Sequence, residues 1–254
     1  MNRDFTYKKY REFLIAIIES GYTCITTEDY FTKQFDKNAK LFILRHDVDR
    51  LPFNAVVLAK IQKELNVKGT YYWRIHPESY NEQAIKEVVE LGHELGYHYE
   101  DVTLCKGDLD KSVKHFEETL QNFRKFYPIQ TICMHGSPMT KWDNRLIWDN
   151  ANYREYGIIA EPYYDFDFNE FFYLTDTGRH WNDEKISVRD KVSSEFDRTI
   201  KNTDDIIHKL KNNLLPNRLM YNIHPHRWND NLSSWTKEII MQNIKNQVKR
   251  FLVK

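Results

Sequence analysis

With 254 residues, 41% of them hydrophobic, and 37 basic side chains set against 37 acidic ones, the chain can bury a sizeable core as one large α/β domain or two small ones. The charge balance, with no basic run and no acidic tail, argues against nucleic acid or an anionic membrane surface as a partner. Three cysteines, Cys24, Cys105 and Cys133, are too few and too scattered for a disulfide framework or a metal knuckle, so they read as reduced thiols in a cytoplasmic protein.

The opening stretch MNRDFTYKKYREFLIAIIESGY reads as an amphipathic helix ended by Gly21. Its apolar run, residues 13–18, is too short to span a membrane, and no small-residue cleavage site follows. Residues at about 1–38 are expected to form a helical extension at the front of a single domain covering 1–254. In LFILRHDVDR an apolar run at 41–44 turns abruptly into charge, as a buried parallel strand does when its C-terminal tip faces a site. FNAVVLAKIQKELNV has helical spacing, KGTYYWRI is β-rich, and NEQAIKEVVELG is a helix closed by Gly92. GHELGYHYE is strand-like, and DLDKSVKHFEETLQNFRKF is a long helix stopped at Tyr127 and Pro128. QTICMHGSP repeats the pattern of an apolar run followed by a histidine and a break.

Alternation continues through a strand and loop in YGIIAEPYYDFDF and shorter strands in FFYLTDTGRHW and KISVRDKV. NTDDIIHKLKNNLL is a capped helix, RLMYNIHPHRW the last strand and SSWTKEIIMQNIKNQVKRFLV the last helix. About seven alternations and no Pro/Gly/Ser-rich linker predict one α/β domain with a parallel sheet, better as a barrel than as a doubly wound open sheet.

Polar residues gather where these strands stop: Asp47 and Asp49, His98 and Glu100, His135, Arg189 and Asp190, and His224. Strand ends in parallel α/β folds share one face, so this convergence points to an enzyme. Asp47 and Asp49 fall on one face of a continuing strand, and two carboxylates so close need a cation between them. A metal could supply it, as could Arg45, Arg50 or Arg189. In GHELGYHYEDV the two histidines are five apart and flanked by Gly92 and Gly96, which excludes a helical His-x-x-x-His pair. On a strand that spacing places His93 and His98 on opposite faces.

With RHDVD, GHELGYH, MHGSP and LMYNIHPHRW in this order over residues 41–228, the sequence resembles the polysaccharide deacetylase (NodB-homology) family, whose members remove acetyl groups from sugars on a distorted (β/α) barrel. The resemblance implies about seven parallel strands in such a barrel. It implies Asp47 as catalytic base and Asp49 as metal ligand, His98 as the first histidine ligand, and His93 as part of a structural lead-in. The family's second histidine ligand falls four residues after the first, where this chain has Val102. Glu100 or Asp101 could replace it with an oxygen ligand. The family's arginine partner of the base is replaced by His135 in MHGSP or restored by Arg189 in SVRDKV, and His224 is expected to protonate the leaving group.

The resemblance therefore implies a divalent metal, zinc, and a hydrolase that removes an acetyl group from an amino sugar. Without a secretion signal, the expected substrate is a nucleotide- or lipid-linked precursor of a surface polysaccharide. The alternatives are an amidohydrolase acting on a non-sugar C–N bond, or a barrel that kept sugar binding and lost its metal. Trp181, Trp228 and His226 are the expected substrate contacts, among a wider set of aromatic residues whose commoner role is packing. The sequence leaves a homo-oligomer open.

Overall fold

The computed structural model describes residues 3–138, 140–181 and 192–252. Its elements are α1 (Tyr7–Glu19), β1 (Thr23–Ile25), α2 (Thr27–Thr32), β2 (Leu41–Val48), α3 (Pro52–Glu64), β3 (Thr70–Trp73), α4 (Glu82–Glu90) and β4 (Glu94–Tyr99). They continue with α5 (Asp101–Leu104), α6 (Leu109–Arg124), β5 (Ile132–Met134), α7 (Pro162–Asp165), β6 (Phe172–Thr175), α8 (Thr203–Lys211), β7 (Arg218–Ile223) and α9 (Leu232–Leu252). The strand expected in KISVRDKV, together with Arg189 and Asp190, lies at positions 182–191 or against them, outside the described residues. Among the described residues no helix is long and apolar enough to cross a membrane.

All seven strands pair in parallel, in the order β5-β4-β3-β2-β7-β6. β1 and β3 share one edge of β2, β1 against residues 41–43 and β3 against residues 45–48. The segment expected as a helical extension thus adds a strand to the sheet, and α1 packs into the core through Tyr10, Phe13, Leu14 and Ile17. The sheet curls into a half-barrel. It does not close, because among the described residues the edge strands β5 and β6 do not pair. Both are short, and only a bridge from Thr131 to Ala160 extends the β5 edge before Pro162 opens α7. Buried Glu161 fills this seam. Its carboxylate accepts from the Met134 backbone N–H at 3.0 Å and from that of Tyr163 at 2.6 Å.

Alternation along the strands decides which side chains meet the hollow of the half-barrel. On β2, Phe42 and Leu44 pack outward with Phe13, Tyr221 and Leu58, while Leu41 and Ile43 face inward with Tyr173 and Met220. Farther along the same inner face the apolar pair gives way to Arg45 and Asp47, and then, just past the strand, to Asp49. His46 points outward, stacked 4.1 Å from Tyr71 and held by the Tyr10 hydroxyl at 2.8 Å. His93 is also on the outer side, with Nε2 3.0 Å from the Ala59 carbonyl. Its separation from His98 follows the odd spacing.

Gly96 is where the inner face of β4 must be bare. A Cβ there would stand 2.4 Å from the ring of Tyr72 and 2.9 Å from the Thr131 carbonyl. Tyr72 in turn carries the Arg45 guanidinium 5.7 Å from its ring centroid. Gly96→Ala is expected to lower stability by about 1–3 kcal/mol through overpacking, read from the midpoint of urea unfolding. An unchanged midpoint would show that Tyr72 moves aside without cost.

Candidate metal centre

Three histidines at or just past the C-terminal ends of the strands converge on Asp49. Its Oδ1 lies 3.6 Å from His98 Nε2 and 3.7 Å from His135 Nε2, and its Oδ2 lies 3.8 Å from His224 Nε2. Asp47 Oδ2 is 3.5 Å from His98 Nε2. These separations are long for hydrogen bonds. They match groups sharing an ion, since two ligands each ~2.1 Å from a tetrahedral centre stand roughly 3.4 Å apart.

Each of the three imidazoles is turned by its other nitrogen. His98 Nδ1 donates to the Cys133 carbonyl at 2.9 Å, His135 Nδ1 to Glu100 Oε2 at 2.9 Å, and His224 Nδ1 to Asp176 Oδ1 at 2.6 Å. The proton on Nδ1 leaves the Nε2 lone pairs of His98 and His135 to the cluster, the arrangement in which histidines ligate metals. Burial pushes the His98 imidazole down to about 4, against the pull of Asp47 and Asp49, so it is neutral at pH 7.

Asp49, His98 and His135 can hold a metal ion, their ligand atoms lying within 4.8 Å of one another. Asp49 Oδ1 is buried and has no hydrogen-bond partner among the described residues, an arrangement that costs stability unless a cation meets it. Asp47, His98 and Cys133 form a second group at the same spacing. It is the poorer set, because the Asp47 carboxylate is already occupied. Its oxygens accept from Arg45 Nε at 2.8 Å, Arg45 Nη2 at 2.6 Å and Asn222 Nδ2 at 2.9 Å. Burial would raise the Asp47 carboxyl, but Arg45, aided by His98, outweighs it and holds it well below the usual carboxylate range.

The supporting shell is as ordered as the cluster. Glu100 takes a two-point contact from Arg74, 2.8 Å at each oxygen, while Arg74 Nη1 also reaches the Asp49 carbonyl at 3.2 Å. Burial opposes ionisation of Glu100, yet the hydrogen bond from His135 and the charge of Arg74 hold it at about 2. Asp176, fully buried just past β6, accepts from the His224 ring and backbone, from Arg227 Nη1 at 3.0 Å and from Trp228 Nε1 at 2.9 Å.

Several expected roles move. His135, expected as a cationic partner of the base, stands instead in a group that could hold a metal, and Val102 is buried in the core. The cation on Asp47 is Arg45, two residues earlier on the same strand face, whereas Arg189 lies outside the described residues. Glu100 is directed at Arg74 and His135, not at the Asp49 cluster. Asp101 opens α5 and faces away from the cluster, where Tyr97 donates to it at 2.9 Å and His115 meets it at 2.5 Å. Trp181 and Trp228 are core residues, packed against Phe5 with ring centroids 6.1 and 5.1 Å away, and neither is among the described residues lining the cavity beside the cluster. His226 does line the cavity beside the cluster, next to Asp49 and His135.

Sequence reading named Arg45 as one of three arginines that could meet the carboxylates, and missed Arg74 and Asp176. Asp176 could have been found by the same passage from an apolar run into an acid that marks Asp47. Comparison of the sequence with protein-family models and with curated proteins finds no match.

Two outcomes test the centre. His98→Ala and His135→Ala should each abolish copurification of a divalent ion, while Asp101→Asn and His93→Gln should retain it, as measured by elemental analysis of protein purified without chelator. Arg45→Met should destabilise the fold by about 3–5 kcal/mol in denaturant unfolding, because it leaves a buried carboxylate unpaired. Adding Asp47→Asn should restore much of that loss.

Proposed function

We propose that the chain is a metal-dependent hydrolase of the polysaccharide deacetylase type, removing an acetyl group from the nitrogen of an amino sugar, with zinc held by Asp49, His98 and His135. The observation that carries the reading is the convergence of three Nδ1-anchored imidazoles and two carboxylates at one set of parallel strand ends. Two histidines and a carboxylate leave an open position on a tetrahedral ion, as catalytic zinc sites do. When bound, the ion polarises an acyl carbonyl and lowers the pKa of water from ~15.7 toward ~7.

The protein's own groups divide the proton work. Asp47, kept ionised and fixed in direction by Arg45 and Asn222, accepts a proton from the attacking water. His224 Nε2 delivers a proton to the departing nitrogen as the C–N bond breaks and the new C–O bond forms. Asp176 steadies that imidazole through Nδ1 and fixes its orientation, as the acid does in hydrolytic triads. Glu100 and Arg74 fix the direction of His135 rather than touching the reacting atoms. The leading substrate class remains an acetamido sugar carried on a nucleotide or lipid in surface-polysaccharide assembly.

Acetate release from a panel of acetamido sugars and their carrier-linked forms tests the reading. Asp47→Asn should keep its metal and lose about 10²- to 10⁴-fold in kcat. Wild-type protein that carries no metal and gains no activity from added zinc, manganese, nickel or cobalt would contradict it.

A further inference from the structure

The C-terminal helix packs with its polarity reversed. Among the described residues of α9 the buried positions are Glu238, Gln242 and Asn246, one stripe at four-residue spacing, each 8% exposed or less. Ile240, Met241 and Ile244 are exposed, at 54%, 43% and 56%, with Ile244 at the rim of the cavity beside the Asp49 cluster. A helix docked by the hydrophobic effect would present the opposite face. What α9 offers the rest of the molecule is hydrogen bonds and charge: Glu238 binds Arg50 at 2.6 Å, and Asn246 Nδ2 donates to the Gly178 carbonyl at 2.9 Å. Between this wall and the Asp49 cluster lies a cavity of about 350 Å³, at the small end of the range for small-molecule sites.

The charges lining that cavity are unbalanced. Arg50, Arg74, Arg227 and Lys245 line it, against the acids Asp49 and Glu78, although the whole chain is neutral. Arg74 and Arg227 are committed to Glu100 and Asp176. Arg50 spends one nitrogen on Glu238 and keeps a quarter of its side chain exposed, at 26%. Lys245 is exposed and makes no ion pair among the described residues. No Phe, Tyr or Trp is among the described residues of the lining, so ring stacking is not the mode of recognition this pocket offers.

We propose that α9 and Arg50 form the specificity wall of the site, and that Lys245 and Arg50 select substrates carrying a phosphate group beside the acyl amide. The proposal rests on the hydrolase reading above for the amide. The anion site itself follows from the cavity and its cations. Arginine and lysine donors are the usual partners of phosphate oxygens, and a second anchor remote from the scissile bond would orient the amide toward the ligand cluster.

The probe is inorganic phosphate, titrated calorimetrically into the full-length protein as purified and again after chelator treatment, with metal content measured on both samples. Phosphate should bind in both states. Lys245→Glu and Arg50→Gln should each weaken it about tenfold, whereas Lys237→Glu, an exposed charge reversal on the same helix, should change it less than about twofold. In turnover, an N-acetyl amino sugar phosphate should show a KM at least about tenfold below that of the free sugar, and Lys245→Glu should erase the difference. Equal losses in Lys237→Glu and Lys245→Glu would reduce the effect to general charge and overturn the proposal. Binding that disappears on chelation and ignores Lys245 would overturn it by placing the anion on the ion. Lys245-dependent phosphate binding without turnover of any acyl substrate would uphold the anion site while removing the hydrolase reading.

Discussion

The commitment of three histidine Nδ1 atoms to fixed acceptors is the constraint on which the site depends. A free imidazole can exchange tautomers and rotate, so an acid beside it could meet a proton or a lone pair. Here a backbone carbonyl holds His98 and buried carboxylates hold His135 and His224, and all three Nε2 atoms are left facing Asp49. The acceptors are themselves fixed, Glu100 by Arg74 and Asp176 by Arg227 and Trp228. Desolvating so many ionisable groups is costly, and only complete pairing makes it tolerable. Among the described residues of the cluster, Asp49 Oδ1 is a buried oxygen without such pairing, and a cation fits there.

The sheet supplies this order through strand parity. β2 carries apolar residues on its inner face at the closed end and Arg45 and Asp47 at the open end, while its outer face stays apolar apart from His46. The same face that seals the bottom of the half-barrel therefore builds the site at its top. At the β5 side of the gap, Glu161 accepts from the Met134 backbone N–H and caps α7 through Tyr163. Relief at Gly96 admits Tyr72, and Tyr72 supports the arginine that holds Asp47. A packing detail two strands away thus reaches the chemistry.

Much of this was legible from the residues. Apolar runs breaking into charge marked the ends of β2, β4, β5 and β7, and the odd interval between His93 and His98 separated lead-in from site. What escaped depended on pairing between strands. His135 reaches the cluster because Cys133 pairs with His98 in the sheet and the next inward position on β5 is two residues on. No local spacing encodes that register. That Glu100 turns to His135 while Asp101 turns to His115 depends on the chain leaving β4 for α5 at Asp101, a change of element that the chemistry of oxygen ligands did not mark. Trp181 and Trp228 show the reverse limit, since an aromatic residue near a strand end carries no mark that separates a rim platform from a core wedge.

The most direct measurement of the central claim is anomalous diffraction at the zinc edge from crystals grown with zinc. The account predicts one strong peak within ligand distance of Asp49 Oδ1, His98 Nε2 and His135 Nε2, with Glu100 and Asp101 outside the coordination shell. A peak at the outward pair of Asp101 and His115, or no ordered peak beside Asp49, would contradict it.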